Sequence, residues 1–278
     1  MNTLQYILIG CLLFFSACAE HKVEETSGEE KAHQELSEMA TKIQWKYDML
    51  LVNHINAPVK LLAGNDFDKN TFNEGLTNPL SNSDKYNSNN TKSLALGIYG
   101  SDLGYISTYN QTQEMIDYFL KLKKISDELG IPVFDSKVIE QFEAAKEDEQ
   151  KIIDLIYKKY EEMDKYLVEN ERYEVLTLIT AAGYVEGLHI SLDQIINNEL
   201  TNEKEILIEQ KAILNNLMSI LADFISNDYI NNVNSDLKDV LKAFNGIDYD
   251  KSFDKENLGA LQNALNKLRE KIISDVWA

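Results

Sequence analysis

An all-α fold is predicted by three observations. From Leu36 onward apolar residues recur at spacings of three and four with few interruptions. No sustained period-two alternation, which a half-buried strand requires, occurs anywhere in the chain. Gly64, Gly130 and Gly246 stand where periodic stretches stop. The expected architecture is a single bundle of about six or seven mostly antiparallel helices over residues 36–278, because short connections join successive periodic segments.

The first helix is expected over about 29–63, with Leu36, Ala40, Ile43, Tyr47 and Leu50 on one stripe, a kink at Pro58 and a stop at Gly64. Residues 64–90, rich in Asn, Asp, Ser and Gly, read as a long polar surface loop, with a functional loop as the alternative. A helix then starts after Asn89-Asn90 and continues to Leu129, where Gly130-Ile131-Pro132 stops it. The next follows Asp135-Ser136, and its stripe from Val138 through Phe142, Ile152, Tyr160 and Leu167 implies one helix of roughly 50 Å. Further helices are expected over about 172–198, from an Asn202–Glu205 capping box onward, through Ile230–Phe244 to a stop at Gly246, and along Leu258–Ile272.

Charge excludes whole classes of partner. With 46 acidic against 27 basic side chains, a formal charge of −19, and Arg172 and Arg269 as the only arginines, the chain as a whole lacks the positive field and the planar forks that bind nucleic acid or phosphate, and its charge argues against an anionic membrane surface. All of that charge lies after the first seventeen residues. Within them, Ile7–Phe15 is an apolar run too short to span a bilayer, which fits the core of a signal peptide. Phe15-Ser16-Ala17-Cys18 follows directly and resembles the lipobox of bacterial lipoproteins.

That resemblance implies a signal peptide over 1–17, cleavage before Cys18, and acylation of Cys18, so that the chain meets a membrane through its N-terminal lipid. An ordinary secretory signal with a chance cysteine is the other reading. Cys11 and Cys18 are the only cysteines, so a matured monomer has no disulfide and no thiol metal site. Residues 18–35 read as an acidic tether. Position 19 is Ala, unlike the Asp that retains lipoproteins at an inner membrane, and this favours an outer-membrane location.

Three constellations carry the functional expectations. Gly97, Gly100 and Gly104 share a helical stripe although each costs about 1 kcal/mol relative to alanine. Close packing against Ala182, Gly183 and Gly187 is the expected compensation. Asp102 stands among apolar and aromatic residues with Tyr105 and Tyr109 nearby, so if buried it must be paired or neutral. Glu186 and His189 form Glu-x-x-His, the pair that ferritin-like di-metal bundles use twice, and are expected at the edge of the apolar face made by Leu178, Ala181, Val185, Leu188, Leu192 and Ile195. The only other such pair, Glu30 and His33, lies in or beside the tether, so no metal and no cofactor are expected. His54 falls on the core stripe of the first helix and reads as a hydrogen-bonded core residue. No phosphate loop, dinucleotide fingerprint, nucleophile elbow or His-Glu-x-x-His is found.

Leu96-Gly97-Ile98-Tyr99-Gly100-Ser101-Asp102-Leu103-Gly104-Tyr105, with Tyr109-Asn110-Gln111-Thr112-Gln113, Leu129-Gly130-Ile131 and Tyr184-Val185-Glu186-Gly187-Leu188, resembles a group of uncharacterised helical lipoproteins of Bacteroidota over roughly residues 92–195. The resemblance implies a lipid-anchored helical domain in the cell envelope and supplies no activity. The function expected is therefore a non-enzymatic binding or interaction module with a protein partner in the envelope. The alternative is a small-molecule or metal-binding bundle using Asp102, Tyr105, Tyr109, Glu186 and His189.

Overall fold

The structure is a computed structural model that describes residues 72–109, 111–145, 148–197, 203–274 and 277, all within the unit Lys46–Ala278. The signal, Cys11, Cys18, the tether with Glu30 and His33, the first helix with His54 and the Asn202 cap lie outside the described residues.

The fold is an all-α helical bundle. Among the described residues it contains α1 (Asn89–Ser107), α2 (Thr112–Glu128), α3 (Ser136–Ala145), α4 (Glu149–Glu169), α5 (Tyr173–Ile196), α6 (Glu203–Leu221), α7 (Asp228–Phe244) and α8 (Lys255–Ser274). Helices α1 and α5 are buried along nearly their whole length and pack chiefly on each other. Helices α2, α4, α6, α7 and α8 each bury one face and leave the other wet. Helix α5 is long and apolar enough to cross a membrane, yet almost all of it is buried in the bundle, as a core helix must be.

Two long predicted helices are each two helices. At the end of α1 the hydroxyls of Ser107 and Thr108 donate back to the carbonyls of Gly104 and Tyr105, at 2.7 and 2.8 Å. Such bonds satisfy terminal carbonyls and favour ending the helix. The second break lies between Ala145 and Glu149, where the Asp148 carboxylate caps α4 by accepting from the Lys151 amide. The apolar stripe runs through both breaks, so periodicity alone does not reveal them. Gly130 does end α2: at φ +67° it lets the Ile131 amide donate to the Ser126 carbonyl at 2.9 Å.

The described part of the expected polar loop lies at the surface and is anchored at four buried positions. Residues 72–88, here called the strap, form two 3-10 turns, Glu74–Leu76 and Leu80–Lys85, and bury Leu76, Thr77, Asn78 and Tyr86. Polar bonds fix the strap to the bundle. The Tyr99 hydroxyl donates to the Pro79 carbonyl, and the Tyr118 hydroxyl lies 2.8 Å from Thr77 Oγ1 and 3.0 Å from the Asn78 carbonyl. Of the Asn and Ser residues in this stretch only Asn78 is buried, and there its polar groups find partners in Asp102, Tyr86 and Asn82.

The glycines divide by partner. A Cβ at Gly97 would sit on the Ile179 carbonyl oxygen and 2.8 Å from the Gly183 amide nitrogen, so α1 and α5 touch backbone to backbone there. The Ser101 hydroxyl crosses the same contact to the Gly183 carbonyl at 2.8 Å. Gly100 faces elsewhere: a Cβ on it would strike the hydroxyl of Tyr160 on α4, not α5. One turn of helix advances 100° per residue, and three residues from Gly97 to Gly100 fall 60° short of a full turn, enough to point at a different neighbour. Gly104 and Gly187 are buried on the same two helices.

Candidate functional site

Asp102 on α1 and Glu186 on α5 are both fully buried. Each lies on a helix that has no solvent face, so any polar group there must find its partner inside. They meet. Burial first, then the charge and hydrogen bond of Glu186, hold the Asp102 carboxyl well above the usual carboxylate range, which favours its neutral form. Asp102 Oδ2 accepts from the Asn78 backbone amide at 3.0 Å. Asp102 Oδ1 has no donor among the described residues, and a proton held between Asp102 and Glu186 is the arrangement that avoids two buried carboxylate charges side by side.

Glu186 in turn faces Arg269 of α8. Arg269 Nε lies 2.5 Å from Oε2 and Nη2 lies 2.6 Å from Oε1, a two-point fork. Nη2 also donates to the Leu76 carbonyl of the strap at 3.0 Å. Burial works to lower the Arg269 pKa, but the Glu186 charge and hydrogen bonds outweigh it and hold the guanidinium above its usual value. A neutral acid, a carboxylate and a guanidinium sum to zero charge, which is the condition for burying three ionisable groups. Together they join α1, α5, α8 and the strap.

The remaining candidate residues surround this triad in separate contacts. Tyr105 and Tyr109 pack edge to face at 4.9 Å, and Phe72 lies 5.5 and 5.6 Å from them. The Tyr105 hydroxyl accepts from the Asn73 amide, and the Tyr109 hydroxyl donates to Gln194 Oε1 on α5. His189 turns toward α8, with Nδ1 3.0 Å from Asn266 Oδ1. Burial lowers its pKa against the opposing pull of Glu186, so the imidazole is neutral at neutral pH. Strap residues also feel the triad: burial pushes the Tyr86 phenol up to about 12 despite the hydrogen bond from Asn78.

Arg269 and Asn78 are the members that reading the sequence missed. Arg269 had a signal: it is one of only two arginines in an acidic chain, and it adjoins the Leu261, Leu265, Leu268, Ile272 stripe. Asn78 acts through its backbone amide, which leaves no mark in side-chain identity. Among the described residues no three His, Cys, Asp or Glu side chains gather as a metal site would need. The triad has the components of acid–base chemistry, but Asp102 and Glu186 are both sealed from solvent and face protein groups. In this arrangement its chemical work is to fix the strap and three helices in register.

The fold and its interior thus define an all-α bundle braced by a buried acid–carboxylate–guanidinium triad. Neither family models, nor curated proteins, nor solved structures yield a match to the chain.

The proton on Asp102 has a measurable consequence. The native state holds a proton that the unfolded chain, with a carboxyl near 3.8, releases at lower pH. Stability from this group is therefore full below that value and falls as pH rises toward the raised native value. Asp102→Asn places an amide N–H where the acid proton stands and keeps the acceptor for Asn78. Its thermal midpoint should match or exceed that of the wild type at pH 8 and lose less between pH 5 and 8. Asp102→Ala strands both partners and should cost about 1–3 kcal/mol. A wild-type and Asp102→Asn pair with parallel pH profiles would remove the proton from Asp102.

Proposed function

We propose that this chain is a lipid-anchored cell-envelope protein whose helical bundle serves as an interaction module for a protein partner, held off the membrane by an acidic tether. The observation that carries the reading is Phe15-Ser16-Ala17-Cys18 directly after the short apolar run Ile7–Phe15. The resemblance to Bacteroidota lipoproteins supports the same location, and position 19 favours the outer membrane. The interior supports a module rather than a reaction centre, since Asp102, Glu186 and Arg269 are spent on one another and on the strap.

Lipidation is tested by expressing the full chain in a diderm host with an alkyne fatty acid. The wild-type protein should take up label and partition with the membrane fraction. Cys18→Ala should lose the label and more than about nine-tenths of the membrane-bound protein, because it lacks the several acyl chains that make anchoring stable. Equal labelling of both proteins would end the lipoprotein reading.

A second reading, a small-molecule site at Asp102 and Glu186 flanked by Tyr105, Tyr109 and His189, draws on the meeting of the two carboxyls beneath the strap. It requires the strap to lift. Ligand-induced loss of hydrogen-exchange protection at Asn78 would favour it, and unchanged protection across a ligand library would count against it.

A further inference from the structure

Three lysines converge on one cavity of about 150 Å3: Lys92 from the first turn of α1, and Lys121 and Lys124 from α2. The strap closes the other side with Ser83, Asp84 and Asn87. Glu128 is the cavity's resident anion. Lys92 Nζ lies 2.8 Å from one of its oxygens and Lys124 Nζ 4.0 Å from the other. The hydrogen bond from Lys92, with the charges of Lys92, Lys124 and Lys121, holds the Glu128 carboxyl below its usual range despite some desolvation. Among the described residues Lys121 forms no ion pair with a carboxylate; it donates to the neutral Ser83 hydroxyl at 2.7 Å.

Three ammonium groups therefore face two carboxylates, Asp84 and Glu128, in a protein whose overall charge is −19. The Lys92 side chain is only 18% exposed, so water solvates its charge incompletely. The positive end of the α1 dipole adds to the same field. Each ammonium has three donors in a compact charge, which suits an anion with oxygens in several directions better than a planar carboxylate, for which the arginine fork is the match. Sites for drug-sized ligands run from about 300 Å3 upward, so the volume here limits the occupant to a few heavy atoms.

We propose that this cavity binds a small tetrahedral oxyanion, with the chemistry of phosphate or sulfate, held by Lys92, Lys121 and Lys124 and closed by the strap. Binding joins the strap to α2, so the anion stabilises the docked strap. The same chemistry is offered by a free anion and by a phosphate headgroup.

The test is a titration of the purified full-length protein with inorganic phosphate at constant ionic strength, read by thermal shift and calorimetry. A saturable rise in midpoint is expected for the wild type and for Lys238→Gln, which removes the same charge from an exposed position on α7. Lys92→Gln and Lys121→Gln should weaken binding about tenfold or more, while Lys121→Arg retains it. Far-UV circular dichroism and the phosphate-free midpoint establish that each variant folds. An unsaturable rise shared by all variants is the general effect of an excluded salt and overturns the proposal, as does wild-type calorimetry without heat of binding. Phosphatidylglycerol vesicles, with Cys18→Ala used to remove any acyl anchor, separate the sources. Absence of co-sedimentation assigns the free anion, as the charge of −19 predicts. Co-sedimentation abolished by Lys121→Gln assigns the headgroup, and co-sedimentation that Lys121→Gln leaves intact places membrane binding elsewhere and counts against a headgroup site.

Discussion

Arg269→Met should lower stability by about 3–5 kcal/mol, the cost of leaving a buried charge without its partner. Methionine keeps most of the arginine's bulk, so the loss reports charge rather than a cavity. Glu186 remains fully buried and loses both guanidinium bonds, and the Leu76 carbonyl loses its donor. For a chain of this size that is a fall in thermal midpoint on the order of 10 °C. Adding Glu186→Gln to Arg269→Met should recover a substantial part of the loss, because the second change removes the stranded charge. The double-mutant cycle checks the claim: losses that simply add would mean the two side chains do not depend on each other. Hydrogen exchange should locate the damage in the strap as well as in α8, since Arg269 bonds directly to Leu76.

Gly97→Ala should destabilise the protein by about 3 kcal/mol, the upper part of the range for overpacking a core. Alanine ordinarily stabilises a helix relative to glycine by about 1 kcal/mol, so the sign itself is the test. At Gly97 the added methyl meets the Ile179 carbonyl and the Gly183 amide, backbone groups that cannot rotate away. Gly259 in α8 has nothing within 4 Å of its would-be Cβ, and Gly259→Ala should raise stability by roughly 1 kcal/mol. Chemical denaturation of the two variants beside the wild type measures both effects. A Gly97→Ala protein as stable as the wild type would mean that α1 and α5 have room to separate.

The two predictions draw on different amounts of information in the sequence. Glycines at 97 and 183 within apolar helical stretches signal a close crossing, because nothing else offsets their cost in a helix interior. Gly100 carries the same signal and points at Tyr160, since the sequence shows that space is needed but not which neighbour needs it. Asp102 is legible as an acid among apolar residues, whereas Glu186, expected at the edge of its helix's apolar face, is fully buried because α8 covers it with Arg269. Their meeting is not legible, with 84 positions between them, and neither is the guanidinium a further 83 positions along at Arg269.

By itself the sequence determined the helical class, the ends at Gly130 and Gly246, the apolar stripes and the faces carrying the candidate residues. These follow from local rules, in which periodicity and capping act over a few residues. The tertiary structure alone decided that the Asn-rich strap is anchored in the interior through Leu76, Thr77, Asn78 and Tyr86, that apolar stripes pass through two helix breaks, and that Arg269 neutralises Glu186 while the Asp102 carboxyl is raised beside it. Those outcomes depend on which groups are sealed from water together. In that setting an unpaired charge costs several kcal/mol, and the packing of helices distant in sequence selects the partner.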